Sequence, residues 1–144
     1  MILDTTYLLP LARIHVDADL LRAVADGKVN LKLEEVAVNM ISIFELQAKA
    51  AKLMVPAKLV IEAVGAIRSA FRVEPFYEPR IIEAAFGMRK LIPDYVDCVM
   101  VATAVVLKEN LATEDSRILS KRGIIQKEHG IKISSYKELI KEHA

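Results

Sequence analysis

The sequence predicts an α/β protein whose parallel sheet is covered by helices on both faces. Three observations predict it. Short apolar or β-branched segments alternate with longer segments of helical spacing along the chain, the pattern of consecutive βαβ units. Hydrophobic residues make up 53% of the sequence, enough for a sizeable core and too many for a disordered chain. The 144 residues suit one domain spanning 1–144, and no internal repeat, linker or low-complexity stretch divides them.

Taken in order, "MILD" is a short first strand with Asp4 at its end. "TTYLLPLARI" is helical, with Pro10 a kink or break. "DADLLRAVADGK" has helical spacing through Leu20, Leu21 and Val24 and a stop at Gly27. "VNLKL" is ambiguous between strand and helix. "EVAVNMISI" is rich in β-branched residues and reads as the second strand. "SIFELQAKAAKLM" starts a helix with the pattern of a capping box, Ser42 as cap and Glu45 at the third helical position. Pro56 opens another helix, "RVEPFY" is a short strand, and Pro79 sits near the first position of the next helix. "DYVDCVMVATAVVLKEN" is a long buried helix, preceded by Pro93 and with Asp94 placed to cap it. "NLATED" is a short strand ending in acids. "SRILSKRG" is a short helix capped at Gly123, and a final strand and helix follow, with Ser134 or Ser135 as the cap.

Charge and composition exclude several classes of function. The 20 basic and 19 acidic residues leave a net charge of +1, so any nucleic-acid surface must be local. The single cysteine, Cys98, excludes an internal disulfide framework and fits a reducing, cytoplasmic setting. No apolar run is long enough to span a bilayer, and no signal peptide is evident. The five glycines are scattered, so there is no glycine-rich phosphate loop. His15, His129 and His143 have no partners at metal-ligand spacing and read as surface residues, as do Glu34, Glu35, Glu114 and Glu128.

Four acids share one topological address. Asp4 ends the first strand, Glu45 lies just after the second, Asp97 is in the first turn of the buried helix, and Asp115 follows "LAT". In an open parallel sheet, ligands bind at the carboxyl ends of the strands. Two like charges about 5 Å apart repel by roughly 3 kcal/mol at an effective dielectric of about 20. Four clustered carboxylates therefore need a cation or raised pKa values. Oxygen donors without His or Cys favour Mg²⁺ or Mn²⁺ over Zn²⁺. The competing explanation for each acid is structural: first-turn acids are favoured by the helix dipole, and Asp115 is placed to cap the next helix. Asp94 is the rival of Asp97 for the site and reads better as a cap.

"LDTTYL", "ISIFEL", "DCVMVATA" and "LATEDSRI", in that order, resemble the PIN-domain nucleases. The resemblance runs from Met1 to about Ser120, and size and motif order are closest to the VapC-like toxin ribonucleases. It implies a three-layer α/β/α sandwich with a central parallel sheet. It also implies a Mg²⁺- or Mn²⁺-dependent endoribonuclease acting as the toxin of a toxin–antitoxin pair. The family's metal-site acids fall on Asp4, Glu45, Asp97 and Asp115, and its small polar residue before the last acid falls on Thr113. An RNA substrate, a small antitoxin protein and a homodimer are the partners implied. Backbone phosphates need local cations. Lys49 and Lys52 beyond Glu45, and Arg117, Lys121 and Arg122 beyond Asp115, are the candidates. Pro10 and the extra acid Glu114 depart from the family pattern. The alternative is a PIN-like interaction module with a weak site, acting through a protein partner. A haloacid-dehalogenase-like phosphotransferase using Asp4 fits worse, because "DTTY" lacks the second acid of that family's "DxDx".

Overall fold

The computed structural model describes residues 1–143, and of His143 the backbone alone; the reading of the His143 side chain as a surface group lies outside what is described. The elements, in order, are β1 (Ile2–Leu3), a 3₁₀ helix (Thr5–Ala12), α1 (Leu20–Ala25), a 3₁₀ turn (Leu33–Glu35), β2 (Ala37–Asn39), α2 (Met40–Lys52), α3 (Ala57–Ala70), β3 (Arg72–Glu74), α4 (Pro79–Met88), α5 (Tyr95–Leu107), β4 (Leu111–Ala112), α6 (Ser116–His129), β5 (Ile133–Ser134) and α7 (Tyr136–His143). All four strand pairings are parallel, in the order β3-β2-β1-β4-β5. The order reverses at β1, which pairs with β2 on one side and β4 on the other. A crevice opens at such a switch point, beyond the carboxyl ends of the two strands.

Alternate strand residues feed two separate cores. Ile2, Ala37, Leu111 and Ile133 face the core built with α4, α5 and α6. Leu3, Val38 and Ala112 face the core built with the first 3₁₀ helix, α1, α2, α3 and Leu139 of α7. The result is a three-layer α/β/α sandwich. Because both faces are covered, β1, β2, β4 and β5 are buried throughout, and only the edge strand β3, Arg72–Glu74, alternates polar and apolar residues. α5 is apolar on nearly every side because Cys98 to Ala104 are all buried, most of them in the core with α4, α6 and the sheet, while Met100 meets Ser42 of α2.

Several boundaries differ from the sequence reading, each for a local reason. The second strand stops at Asn39, whose side chain accepts from Ile41 N at 2.9 Å and caps α2. "SIFE" is therefore not a capping box: Ser42 is buried in the third helical position, with its hydroxyl 3.4 Å from Met100 Sδ. The device occurs instead at α7, where Ser135 and Glu138 bond reciprocally. Gly123 does not cap its helix. α6 runs through it and ends at Gly130, whose φ of +71° is the left-handed conformation that glycine adopts at little cost. The ambiguous "VNLKL" leads into the 3₁₀ turn. Pro10 sits inside a helix that is 3₁₀ throughout. Asp94, Pro79 and Gly27 hold the places expected of them.

Candidate active site: an acidic cleft at the switch point

The parallel sheet delivers the chain to this cleft three times, and the start of α5 supplies a fourth approach. β1 ends at Asp4, and β4 ends at Thr113, Glu114 and Asp115. α2 starts from the end of β2 and brings Glu45 one and a half turns along. α5 runs back against the strands, so its first turn, with Asp97, stands at the same sheet edge. A cleft of about 550 Å³ is lined by Asp4, Thr5, Glu45, Lys49, Lys52, Asp94, Asp97, Glu114, Asp115 and Arg117, together with Thr6, Leu9 and Ala48. Thus Asp4, Glu45, Asp97 and Asp115 share one cavity, with Arg117, Lys49 and Lys52 around them. Thr113 lies beneath it. Lys121 is exposed on α6 outside the cleft, and Arg122 bonds Glu138 at 2.6 Å, at the junction of α6 with α7.

Two threonines hold the acids on one side. Asp4 accepts from Thr5 N at 2.7 Å and from the Thr113 hydroxyl at 2.6 Å. The Thr113 oxygen in turn accepts from Asp115 N at 3.0 Å, which ties the ends of β1 and β4 together. The Thr5 hydroxyl donates to Glu45 Oε1 at 2.5 Å. Nothing in the sequence marks Thr5 beyond its place directly after Asp4. Glu114, read as solvated, is instead partly buried. It accepts from the Tyr7 hydroxyl and, at 2.8 Å, from Tyr136 N. Those bonds fix it between the first 3₁₀ helix and α7.

Arg117 holds the other side. Its Nη2 lies 2.9 Å from Asp97 Oδ2 and 3.2 Å from Asp115 Oδ2. Asp115 also caps α6, accepting from Arg117 N at 2.8 Å and Ile118 N at 3.2 Å. Asp115 therefore both caps α6 and lines the cleft. Asp94 caps α5 by accepting from Asp97 N at 3.0 Å, which leaves the Asp97 carboxylate out of the capping. Asp97 is only 9% exposed. The Arg117 contact is a charge pair without hydrogen-bond alignment, and Oδ2 of Asp97 is buried with no hydrogen-bond donor among the described residues.

The electrostatics follow from burial and crowding. Burial raises the Asp97 pKa to about 7, and Asp115, Asp94 and Asp4 add to the rise while Arg117 opposes it. Burial likewise raises Asp4, against the bonds from Thr113 and Thr5 and with help from Asp115 and Glu114. Glu45 is raised by burial and by Asp4 and Asp94, against the Thr5 bond. Asp115 is lowered: burial works against it, but the Arg117 side chain and the backbone N–H groups of Ile118 and Arg117 prevail. Cys98 is buried and its thiol is raised, an inert core group.

The donor chemistry fits a hard divalent cation, and the orphaned Asp97 oxygen is a place for one. Among the described residues, however, no three acidic, histidine or cysteine side chains stand close enough to close on one ion as they are disposed here. Thr5, Thr113 and Arg117 bridge the acids in pairs.

A family model for the PIN domain matches residues 1–124, and the chain belongs to the PIN-domain family. PIN domains are generally nucleases and typically use divalent metals. The fold is shared with FitAcB from Neisseria gonorrhoeae, at a TM-score of 0.65 and 20% identity over 96% of this chain and 99% of that one. It is shared too with FitAB bound to an IR36 DNA fragment, at 0.64 and 20% over 94% and 95%. A toxin–antitoxin complex from Klebsiella pneumoniae matches at 0.58 and 17% over 80% and 86%. No curated protein sequence matches. No helix among the described residues is long and apolar enough to cross a membrane.

Proposed function

We propose that the chain, as one domain spanning 1–144, is a Mg²⁺- or Mn²⁺-dependent endoribonuclease of the cytoplasm and the toxin of a toxin–antitoxin pair. The observation that carries this reading is the buried, donorless Oδ2 of Asp97 opening into a cleft that Asp4, Glu45 and Asp115 also line. Asp4 and Asp97 would hold the metal directly; Glu45 and Asp115 would bind through water or orient it. The ion, when bound, supplies a water of lowered pKa and neutralises charge on the phosphodiester. The chain supplies the rest. Thr113 fixes Asp4 against Asp115, and Thr5 fixes Glu45. Lys49, Lys52 and Arg117 offer cations to the backbone phosphates. RNA rather than DNA rests on the VapC-like resemblance alone. The antitoxin partner is supported by the toxin–antitoxin complex among the structural neighbours. Exposed apolar side chains on two faces support that partner and a homodimer.

A second reading, a PIN-fold interaction module with a weak site, draws support from the separation of the acids. One assay separates the two. Purified protein incubated with single-stranded and structured RNA in Mn²⁺ is expected to cleave it, EDTA is expected to stop the cleavage, and Asp97→Asn is expected to abolish it. Cleavage that survives both EDTA and Asp97→Asn overturns the metal mechanism, and no cleavage in Mn²⁺ favours the module.

A further inference from the structure

We infer that Arg117 is the resident counter-cation of the acidic cleft and that a divalent ion must displace it, so that Arg117 is held by the acids in the metal-free protein and released in the loaded one. The inference rests on the metal-binding reading above and adds a role for a side chain which that reading uses only as a phosphate contact.

Position comes first. The guanidinium is the only cation within ion-pair distance of Asp97 or Asp115 among the described residues, and one nitrogen, Nη2, contacts both. Lys49 and Lys52 line the same cleft with no acid in ion-pair contact among the described residues. Asp97 and Asp115 are thus served by one shared side chain.

The bonding is uneven. Toward Asp115 the guanidinium makes a hydrogen bond at 3.2 Å. Toward Asp97 it comes to 2.9 Å without alignment, and Oδ2 stays donorless. A planar guanidinium satisfies carboxylates best through paired, in-plane N–H bonds, and here it spans two acids with one nitrogen. Arg117 is also 54% exposed, and ion pairs open to water are weak. A compact ion of twice the charge, which takes carboxylate oxygens as its ligands, outcompetes such a contact at Asp97.

Local structure permits the exchange. Arg117 is the second residue of α6, and its backbone is fixed by the Asp115 cap. The side chain can leave the acids by rotation about its own bonds, without moving the helix. Solvent already reaches half of it, so release buries no new charge.

Calorimetric titration of the metal-free protein with Mn²⁺ tests this. Arg117→Gln keeps a polar side chain and removes the charge, and it is expected to bind Mn²⁺ about twofold to fivefold more tightly, the scale of one partly exposed ion pair. Arg117→Lys keeps the charge and is expected to stay near wild type. Equal affinity in wild type and Arg117→Gln, or weaker binding in Arg117→Gln, overturns the inference while leaving the metal reading intact. Absence of Mn²⁺ binding in all three overturns both. A second readout needs no variant to bind: the Arg117 guanidinium resonance in an NMR titration of wild-type protein with Mg²⁺, assigned by its loss in Arg117→Gln. It is expected to move from an ion-paired to a solvent-exchanging position as the site fills, and a resonance that stays put at saturation overturns the displacement.

Discussion

Asp97 illustrates how a single carboxylate takes on opposite signs of stability. Its folded-state pKa of about 7 lies above the ordinary 3.8. Between those values the native state keeps a proton that the unfolded chain has lost, so stability falls as pH rises through that window. The slope from this group is at most about 1.4 kcal/mol per pH unit, and water in the cleft reduces it. In metal-free buffer, Asp97→Asn is therefore expected to gain melting temperature relative to wild type as pH is raised from 5 to 8, and to be the more stable protein at pH 8. A constant offset at every pH would mean that the carboxylate is not held at a raised pKa. Asp94, three residues earlier, is the contrasting case. Its loss removes the α5 cap, and Asp94→Ala is expected to cost about 0.5–2 kcal/mol in urea unfolding.

The same residue scale shows what could be read in advance. Asp4, Glu45, Asp97 and Asp115 were legible because each follows a strand or opens a helix, and chain order alone brings such positions to one sheet edge. Thr5, Glu114 and Arg117 owe their roles to partners 40, 107 and 20 residues away respectively, Glu45, Tyr7 and Asp97. No local pattern encodes those distances. Arg117 was legible as a cation and illegible as the partner of Asp97.

At the scale of the element, the polar exceptions inside apolar runs prove to be joints. Thr103 interrupts α5, and it is buried. Its hydroxyl donates to Val99 O at 2.7 Å and accepts from Asn39 Nδ2 at 2.9 Å, while the Asn39 oxygen caps α2. One buried amide thus joins the end of β2, the start of α2 and the middle of α5. Thr103→Val strands the Asn39 donor, and the cost expected in urea unfolding is about 1–3 kcal/mol. Gly123 makes the reverse point. The sequence marks it as a stop, because glycine after a short helical run commonly is one, yet the helix continues to Gly130. With nothing within 4 Å of a Cβ built at Gly123, Gly123→Ala is expected to stabilise the protein by about 0.5–1 kcal/mol through helix propensity. A loss of melting temperature in that variant would show that the glycine serves a close approach not present in this chain alone. Strands of two or three residues were recognisable only as apolar pauses between helices, and their ends slipped where a capping residue such as Asn39 could pass for a strand residue.

At the scale of the molecule, the alternation of strands and helices made the layered fold legible, but not the strand order, since nothing local says that β1 pairs with both β2 and β4. Nor did it say which apolar faces are spare. The sequence gives α3 a wide apolar face, Val55, Leu59, Val60, Ala63, Val64, Ile67 and Phe71, and suggests a dimer contact there. The structure spends Ala63, Ile67 and Phe71 on the core. What remains is a groove of about 580 Å³ between α2 and α3, with Val55, Val60 and Val64 in its lining and Ile61 71% exposed on it.

A second apolar patch, not foreseen, stands on α4 and α5. Phe86, 67% exposed, packs edge-to-face on Tyr95 with ring centroids 5.6 Å apart, beside the exposed Ile82. A groove suits an amphipathic segment from another chain, whereas an exposed aromatic pair suits a self-complementary contact about a two-fold axis. The proposed homodimer is therefore expected at α4–α5 and the proposed antitoxin in the α2–α3 groove. Light scattering across a dilution series is expected to give a dimer mass for wild type and for Ile61→Glu, and a mass near 16.0 kDa for Phe86→Glu. Because both side chains are exposed, neither change disturbs a core, and both variants are expected to melt like the wild-type chain of the same oligomeric state. If Ile61→Glu dissociates the dimer and Phe86→Glu does not, the dimer uses the groove; if wild type itself stays near 16.0 kDa at micromolar concentration, the exposed aromatics serve a different chain.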